Sequence, residues 1–177
     1  MIKITHTEAT PNPSALKYVT DAPLVGSGSL SFSSAEEAEQ LPLAKALFAL
    51  GGVEAVYLQE NFVTIKAQSG SDWSQIKAEV SKALETFEPV AAAPPKPASA
   101  GGGDLLGKVN ATIDKFVRPA LAGDGGGLEV LGMEGSTVFI RYQGACGGCP
   151  SAVTGTLFAI ENLLKDQVDE EITVQAM

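Results

Sequence analysis

Cysteine is scarce: two in 177 residues, Cys146 and Cys149. Two thiols three positions apart cannot build a disulfide framework. In a chain so poor in cysteine they read as metal or redox chemistry in a reducing compartment. Cations are also few. Twelve Lys and Arg face 21 Asp and Glu, a net charge of −9. Such a balance excludes the clustered cations that wrap a nucleic-acid backbone. Aromatic residues are 6% of the chain, too few for a base-stacking platform. No run approaches about 18 uncharged apolar residues, so no membrane span is expected. The start, Met1-Ile2-Lys3-Ile4-Thr5-His6, lacks the apolar segment of a signal peptide. The first arginine is Arg118, so an arginine-rich presequence is not expected either. The expected location is the cytoplasm, or an organelle matrix if a presequence has been removed.

Apolar residues make up 45% of the chain, enough for a real core. One segment has no hydrophobic period: the Pro/Ala/Gly-rich stretch Val90–Gly103, with Pro94-Pro95-Lys96-Pro97 and Gly101-Gly102-Gly103. Its composition reads as an extended, flexible tether. Three parts follow: a domain over 1–89, a linker over 90–103 and a domain over 104–177. Each domain carries a net −5, and Lys96 adds +1.

The expected fold class is α+β, two small α/β-sandwich-type domains. In the first, residues 2–7 and Leu16–Val19 predict strands. Pro42 opens a helix that Gly51-Gly52 stop. Glu54–Leu58 and Phe62–Lys66 predict a hairpin. Asp72 caps a helix carrying Trp73, Ile76, Val80, Ala83 or Leu84, and Phe87. In the second, Asp104 caps a helix with Leu105, Leu106, Val109, Ile113, Phe116 and Val117 on its buried stripe, ended by Pro119 and Gly123. Leu128–Met133 and Ser136–Tyr142 pair through a Glu134-Gly135 turn. A Gly/Cys loop leads to a helix from about Pro150 to Leu164 and a strand at Glu171–Gln175. The order is αββαβ, its last strand parallel to a neighbour.

Gly144-Ala145-Cys146-Gly147-Gly148-Cys149-Pro150-Ser151 joins a strand to a helix. Two intervening residues let both sulfurs meet one metal. Gly147 and Gly148 let the backbone curl and aim N–H groups at the sulfurs. A helix starting at the thiolates stabilises their negative charge. A tetrahedral zinc or an iron–sulfur cluster takes four protein ligands, and this chain has two cysteines. His6 lies in the other domain and reads as a strand-surface residue. Two copies related by a two-fold axis would complete the set, with little protein covering it. Spacing alone leaves an iron–sulfur cluster, a thioredoxin-like dithiol and a shared structural zinc open.

Residues 105–176 resemble the NifU-like domain of Nfu-type iron–sulfur cluster carriers. The stretches are Val117-Arg118-Pro119-Ala120-Leu121, Asp124-Gly125-Gly126, the Cys146/Cys149 loop and Thr156-Leu157 to Leu164. Residues 1–88 resemble the family's N-terminal domain through Thr10-Pro11-Asn12-Pro13, Leu16-Lys17-Tyr18, Pro42-Leu43-Ala44, Leu47-Phe48, Gly52-Val53 and Asn61–Ile65. The resemblance implies a carrier, not an enzyme. It implies a 4Fe–4S cluster bridging two subunits, with Cys146 and Cys149 of each as ligands. It implies transfer to apo iron–sulfur clients after supply by an upstream scaffold, with the first domain docking partners. A dithiol oxidoreductase is the alternative. Gly127 stands where the family usually has Asp, so any role of that carboxylate is lost. Arg118 pairs either with the cluster's charge or with a neighbouring acid. Thr10-Pro11-Asn12-Pro13 reads as a rigid loop or a client contact, and Asp124–Gly127 as a turn.

Overall fold

The computed structural model describes residues 1–91, 103–147 and 155–177. The chain divides into two compact units, Met1–Pro94 and Pro95–Met177. Each is α+β.

The first unit holds β1 (Ile4–Ala9), β2 (Ala15–Thr20), β3 (Leu30–Phe32), α1 (Ala35–Ala38), α2 (Pro42–Phe48), β4 (Val53–Gln59), β5 (Phe62–Ala67) and α3 (Trp73–Glu85). The strands form one sheet in the order β1-β2-β5-β4-β3, antiparallel throughout. Period-2 alternation puts Tyr18, Val56, Leu58, Val63 and Ile65 into one core with Leu43, Ala44 and Leu47 of α2 and Ile76, Val80 and Leu84 of α3. Each such buried Val, Leu or Ile side chain contributes about 1.5–3 kcal/mol. Asp72 caps α3 by accepting from the backbone N–H groups of Ser74 at 2.9 Å and Gln75 at 3.3 Å. Trp73 packs half-buried against this core. The Thr10–Pro13 segment is a tied turn: the Thr10 hydroxyl donates to the carbonyls of Asn12 and Ala15, and Asn12 Oδ1 accepts from Ser14 N–H.

β3 and α1 were not expected. A three-residue strand is defined by its partner, Val56–Leu58 of β4, more than by its own pattern. Val90, assigned to the linker on composition, is hydrogen-bonded into the first unit. Its N–H donates to Leu24 O at 2.9 Å, and its carbonyl accepts from Gly26 N–H at 2.8 Å. The rest of the proposed tether, apart from Ala91 and Gly103, lies outside the described residues.

The second unit runs α4 (Gly103–Thr112), a π-helical turn (Ile113–Val117), α5 (Arg118–Gly123), β6 (Gly126–Glu134), β7 (Thr137–Gly144), α6 (Leu157–Gln167) and β8 (Thr173–Ala176). The order αββαβ holds. β6 pairs antiparallel with β7, and β7 pairs parallel with β8. The core joins Val109, Ile113, Val117 and Leu121 to Leu128, Val138 and Ile140, and to Ile160 and Leu164 of α6. Pro119 does not end the helix. The π-helical turn widens the backbone just before it, where the missing N–H of proline leaves no bond to break. The β6–β7 turn is Gly135-Ser136, with Gly135 at φ +58°.

Glu161 ties α6 to β8. Its carboxylate accepts from Val174 N–H at 3.0 Å and from Lys165 Nζ at 2.6 Å. The Lys165 hydrogen bond, then the Val174 N–H, hold this carboxyl below the usual carboxylate range. A depressed folded pKa adds stability above the unfolded pKa and loses it as pH falls through the folded value. Glu161→Gln is therefore expected to cost about 1 kcal/mol at neutral pH. The difference from wild type should close once pH drops below that depressed value. Urea unfolding at neutral and acid pH checks this, and a pH-independent difference refutes it.

Candidate metal centre

Three glycines shape the place where the cysteine loop leaves the sheet. β7 ends at Gly144, which takes φ +62° and pairs with Gly126 at the start of β6. Gly125, at φ +75°, makes the turn from α5 into β6. Ala145 N–H donates to Gly125 O at 3.2 Å, and Gly147 N–H donates to Gly144 O at 3.1 Å. The loop is thus fastened to the β6 turn before it reaches its first thiol.

Gly126 is the decisive contact. A Cβ there would lie 2.5 Å from Cys146 Sγ and 2.9 Å from both Cys146 N and Gln143 O. The sulfur fills the volume that any other residue's side chain would claim. In the run Asp124-Gly125-Gly126-Gly127 only Gly125 has positive φ, so the turn explains one glycine and the thiol a second. The excess of glycine over turn need was the readable sign of this close approach. Gly127 sits buried in β6, paired with Gln143.

Cys146 is only 6% exposed and belongs to the second unit's core. The expectation of an uncovered site does not hold for this thiol, because Gly126 lets it settle against β6. Nor does Gly147 aim its N–H at a sulfur: that N–H is spent on Gly144 O. Cys149, Gly148, Pro150 and Ser151, and with them the expected helix start, lie outside the described residues.

Arg118 pairs with Asp114, the neighbouring acid, and its Nη1 donates to Leu128 O at 2.8 Å. It thereby ties the helical arm to the strand carrying Gly126. His6 lies exposed on β1, its Nε2 3.1 Å from Glu8 and its Nδ1 3.0 Å from the Thr5 hydroxyl. Among the described residues no three His, Cys, Asp or Glu side chains gather as a metal site. No helix among them is long and apolar enough to cross a membrane.

Sequence reasoning passed over Tyr142. Its hydroxyl is sealed from solvent and has no hydrogen-bond partner among the described residues. Burial, with the negative charge of Cys146 as a second cause, pushes its pKa up to about 12.

Two family models account for nearly the whole chain. Residues 4–89 match "Scaffold protein Nfu/NifU N terminal", and residues 109–175 match "NifU-like domain". The chain belongs to the Nfu/NifU family. It is 32% identical over 176 residues to "NifU-like protein 4, mitochondrial" of Arabidopsis thaliana, covering 93% of this chain. It is 31% identical over 179 residues to "NFU1 iron-sulfur cluster scaffold homolog, mitochondrial" of Drosophila ananassae, covering 96% of this chain. It spans 62% of the length of each of these relatives. A solution structure of a NifU-like protein from Saccharomyces cerevisiae is 31% identical over 48% of this chain and 74% of that one, with a TM-score of 0.41.

Proposed function

We propose that this protein is an iron–sulfur cluster carrier rather than an enzyme. Its cargo is a 4Fe–4S cluster held between two copies by Cys146 and Cys149 of each. One observation carries the reading: a NifU-like domain with two thiols, no further cysteine and no histidine in its own sequence. A four-ligand cluster is then half-served by one chain and fully served by two. Soft thiolates suit iron–sulfur chemistry, and ligand exchange at a subunit boundary passes the cluster to an apo client. The first domain, on its tether, docks clients or the upstream scaffold by raising their local concentration. The working compartment is a reducing one, the cytoplasm or an organelle matrix. A dithiol oxidoreductase is the alternative, and it predicts an intramolecular disulfide and reductase activity in the metal-free chain.

Anaerobic reconstitution with iron and sulfide tests the proposal. The expected product is a coloured dimer with about four iron per dimer, able to activate an apo iron–sulfur enzyme. A loaded species with the mass of one copy and no external thiol overturns it.

A further inference from the structure

Phe158, on α6, is 67% exposed. A single ring in water needs no explanation by itself, but its surroundings call for one. Phe116 is also exposed, at 45%, yet Lys115 Nζ lies 4.9 Å over its ring, in a turn that carries Asp114 as well. That ring is screened by its own charged neighbours. The exposed positions around Phe158 are Gly155, Ala159 and Asn162, with no charge among them. The charges at this level of α6, Glu161 and Lys165, pair with each other on the side that meets β8.

Gly155 is the second observation. It continues the helical backbone just before α6. It takes no positive φ, and a Cβ there would meet nothing within 4 Å. Glycine weakens a helix relative to alanine, and neither the turn geometry nor the local packing asks for it here. Gly107 in α4 is equally open, but Asp104 and Lys108 pair beside it at 3.0 Å, which marks a solvated face. Phe158 and Gly155 instead make a knob and a notch on one charge-free face. The opposite side of α6 packs through Ile160 and Leu164 into the core that holds Cys146.

We propose that this face of α6 seats a second copy of the chain, Phe158 of each copy filling the space over Gly155 and Ala159 of the other. This rests on the carrier reading above, in which two copies complete one cluster. Two arguments select a second copy as the occupant. Each second domain carries −5, so two copies repel and meet at least cost where the surface is neutral. A two-fold contact must also be self-complementary, and a ring beside an open glycine supplies both halves at once. Four residues a side fall well short of the roughly 20–30 of a stable interface. The contact therefore does not hold empty copies together. It adds to the iron–thiolate bonds and sets how two loaded copies face each other.

The test uses the full chain, anaerobically reconstituted with iron and sulfide. It compares wild type, Phe158→Glu, Phe158→Lys, an equimolar mixture of those two, and Phe116→Glu. Sedimentation across a dilution series reads the mass. Phe158→Glu and Phe158→Lys should each weaken the loaded dimer about tenfold or more. The mixture should recover most of that loss, because opposite charges then meet across the contact. Phe116→Glu should match wild type. Empty Phe158→Glu should keep the wild-type Tm, since the ring it replaces is exposed. If loaded Phe158→Glu holds together like wild type, the proposal is overturned while the carrier reading stands. If both single variants weaken the dimer and their mixture recovers nothing, the two faces do not meet and the proposal is again overturned. If the Phe158→Glu dimer is intact but no longer activates an apo iron–sulfur enzyme, the face belongs to the client and not to a second copy. If wild type itself takes up no cluster, the carrier reading falls and the proposal with it.

Discussion

Cys146→Ser is expected to give a folded protein that stays colourless after reconstitution. Serine nearly preserves the volume at Gly126, so the loop keeps its two backbone bonds to Gly125 and Gly144. It replaces a soft thiolate with a hydroxyl that does not deprotonate near neutral pH, and iron–sulfur clusters are held by thiolates. In the proposed site each chain loses one of two ligands, so a dimer loses two of four. The expected iron content falls from about four per dimer to near zero. A hydroxyl buried in an apolar core costs about 1–3 kcal/mol, so some loss of Tm is expected without unfolding. Iron and sulfide analysis, visible absorbance and circular dichroism decide the matter. A Cys146→Ser variant that keeps a full cluster removes Cys146 from the ligand set.

Gly126→Val should be nearly as damaging to loading, from a residue that never touches iron in the proposed site. Its Cβ would overlap Cys146 Sγ and crowd two backbone atoms, Cys146 N and Gln143 O. A sulfur could rotate away, but backbone in a paired strand has no cheap retreat. Overpacking of this kind costs about 1–3 kcal/mol, a large share of a small domain's total. The second unit's melting transition should drop by several degrees, and iron uptake should fall well below half of wild type even where the unit remains folded. Gly107→Ala serves as the control. Gly107 lies in α4 with no atom within 4 Å of an added Cβ, so this variant should load fully. If Gly126→Val loads like wild type, the contact has no bearing on the thiol's position.

Much of the fold could be read from local signals. Asp72 and Pro42 marked helix starts because capping chemistry and a fixed φ act within one turn. The αββαβ order followed from periods of 3.6 and 2. The elements that escaped depend on partners or on compensation. β3 exists because β4 offers it an edge, and its own three residues carry almost no period. Pro119 looked like a stop until the π-helical turn absorbed it. The site divides the same way. Cys146 stood out by spacing, whereas its burial depends on Gly126, twenty residues earlier and brought near only by β6–β7 pairing. Tyr142 gave no motif at all, since an unpaired hydroxyl is a property of its surroundings.

On the proposed carrier reading, the seat of Cys146 against Gly126 also bears on survival between deliveries. Peroxide and alkylating agents attack a thiol they can reach, and a sheltered sulfur reacts slowly. An empty carrier that tucks this sulfur behind a strand keeps it from sulfenic acid and from stray mixed disulfides until iron arrives. The same glycine that makes room for the ligand thus acts as its shield, and a chain that waits unloaded under oxidative stress depends on that shelter to remain fit for reuse.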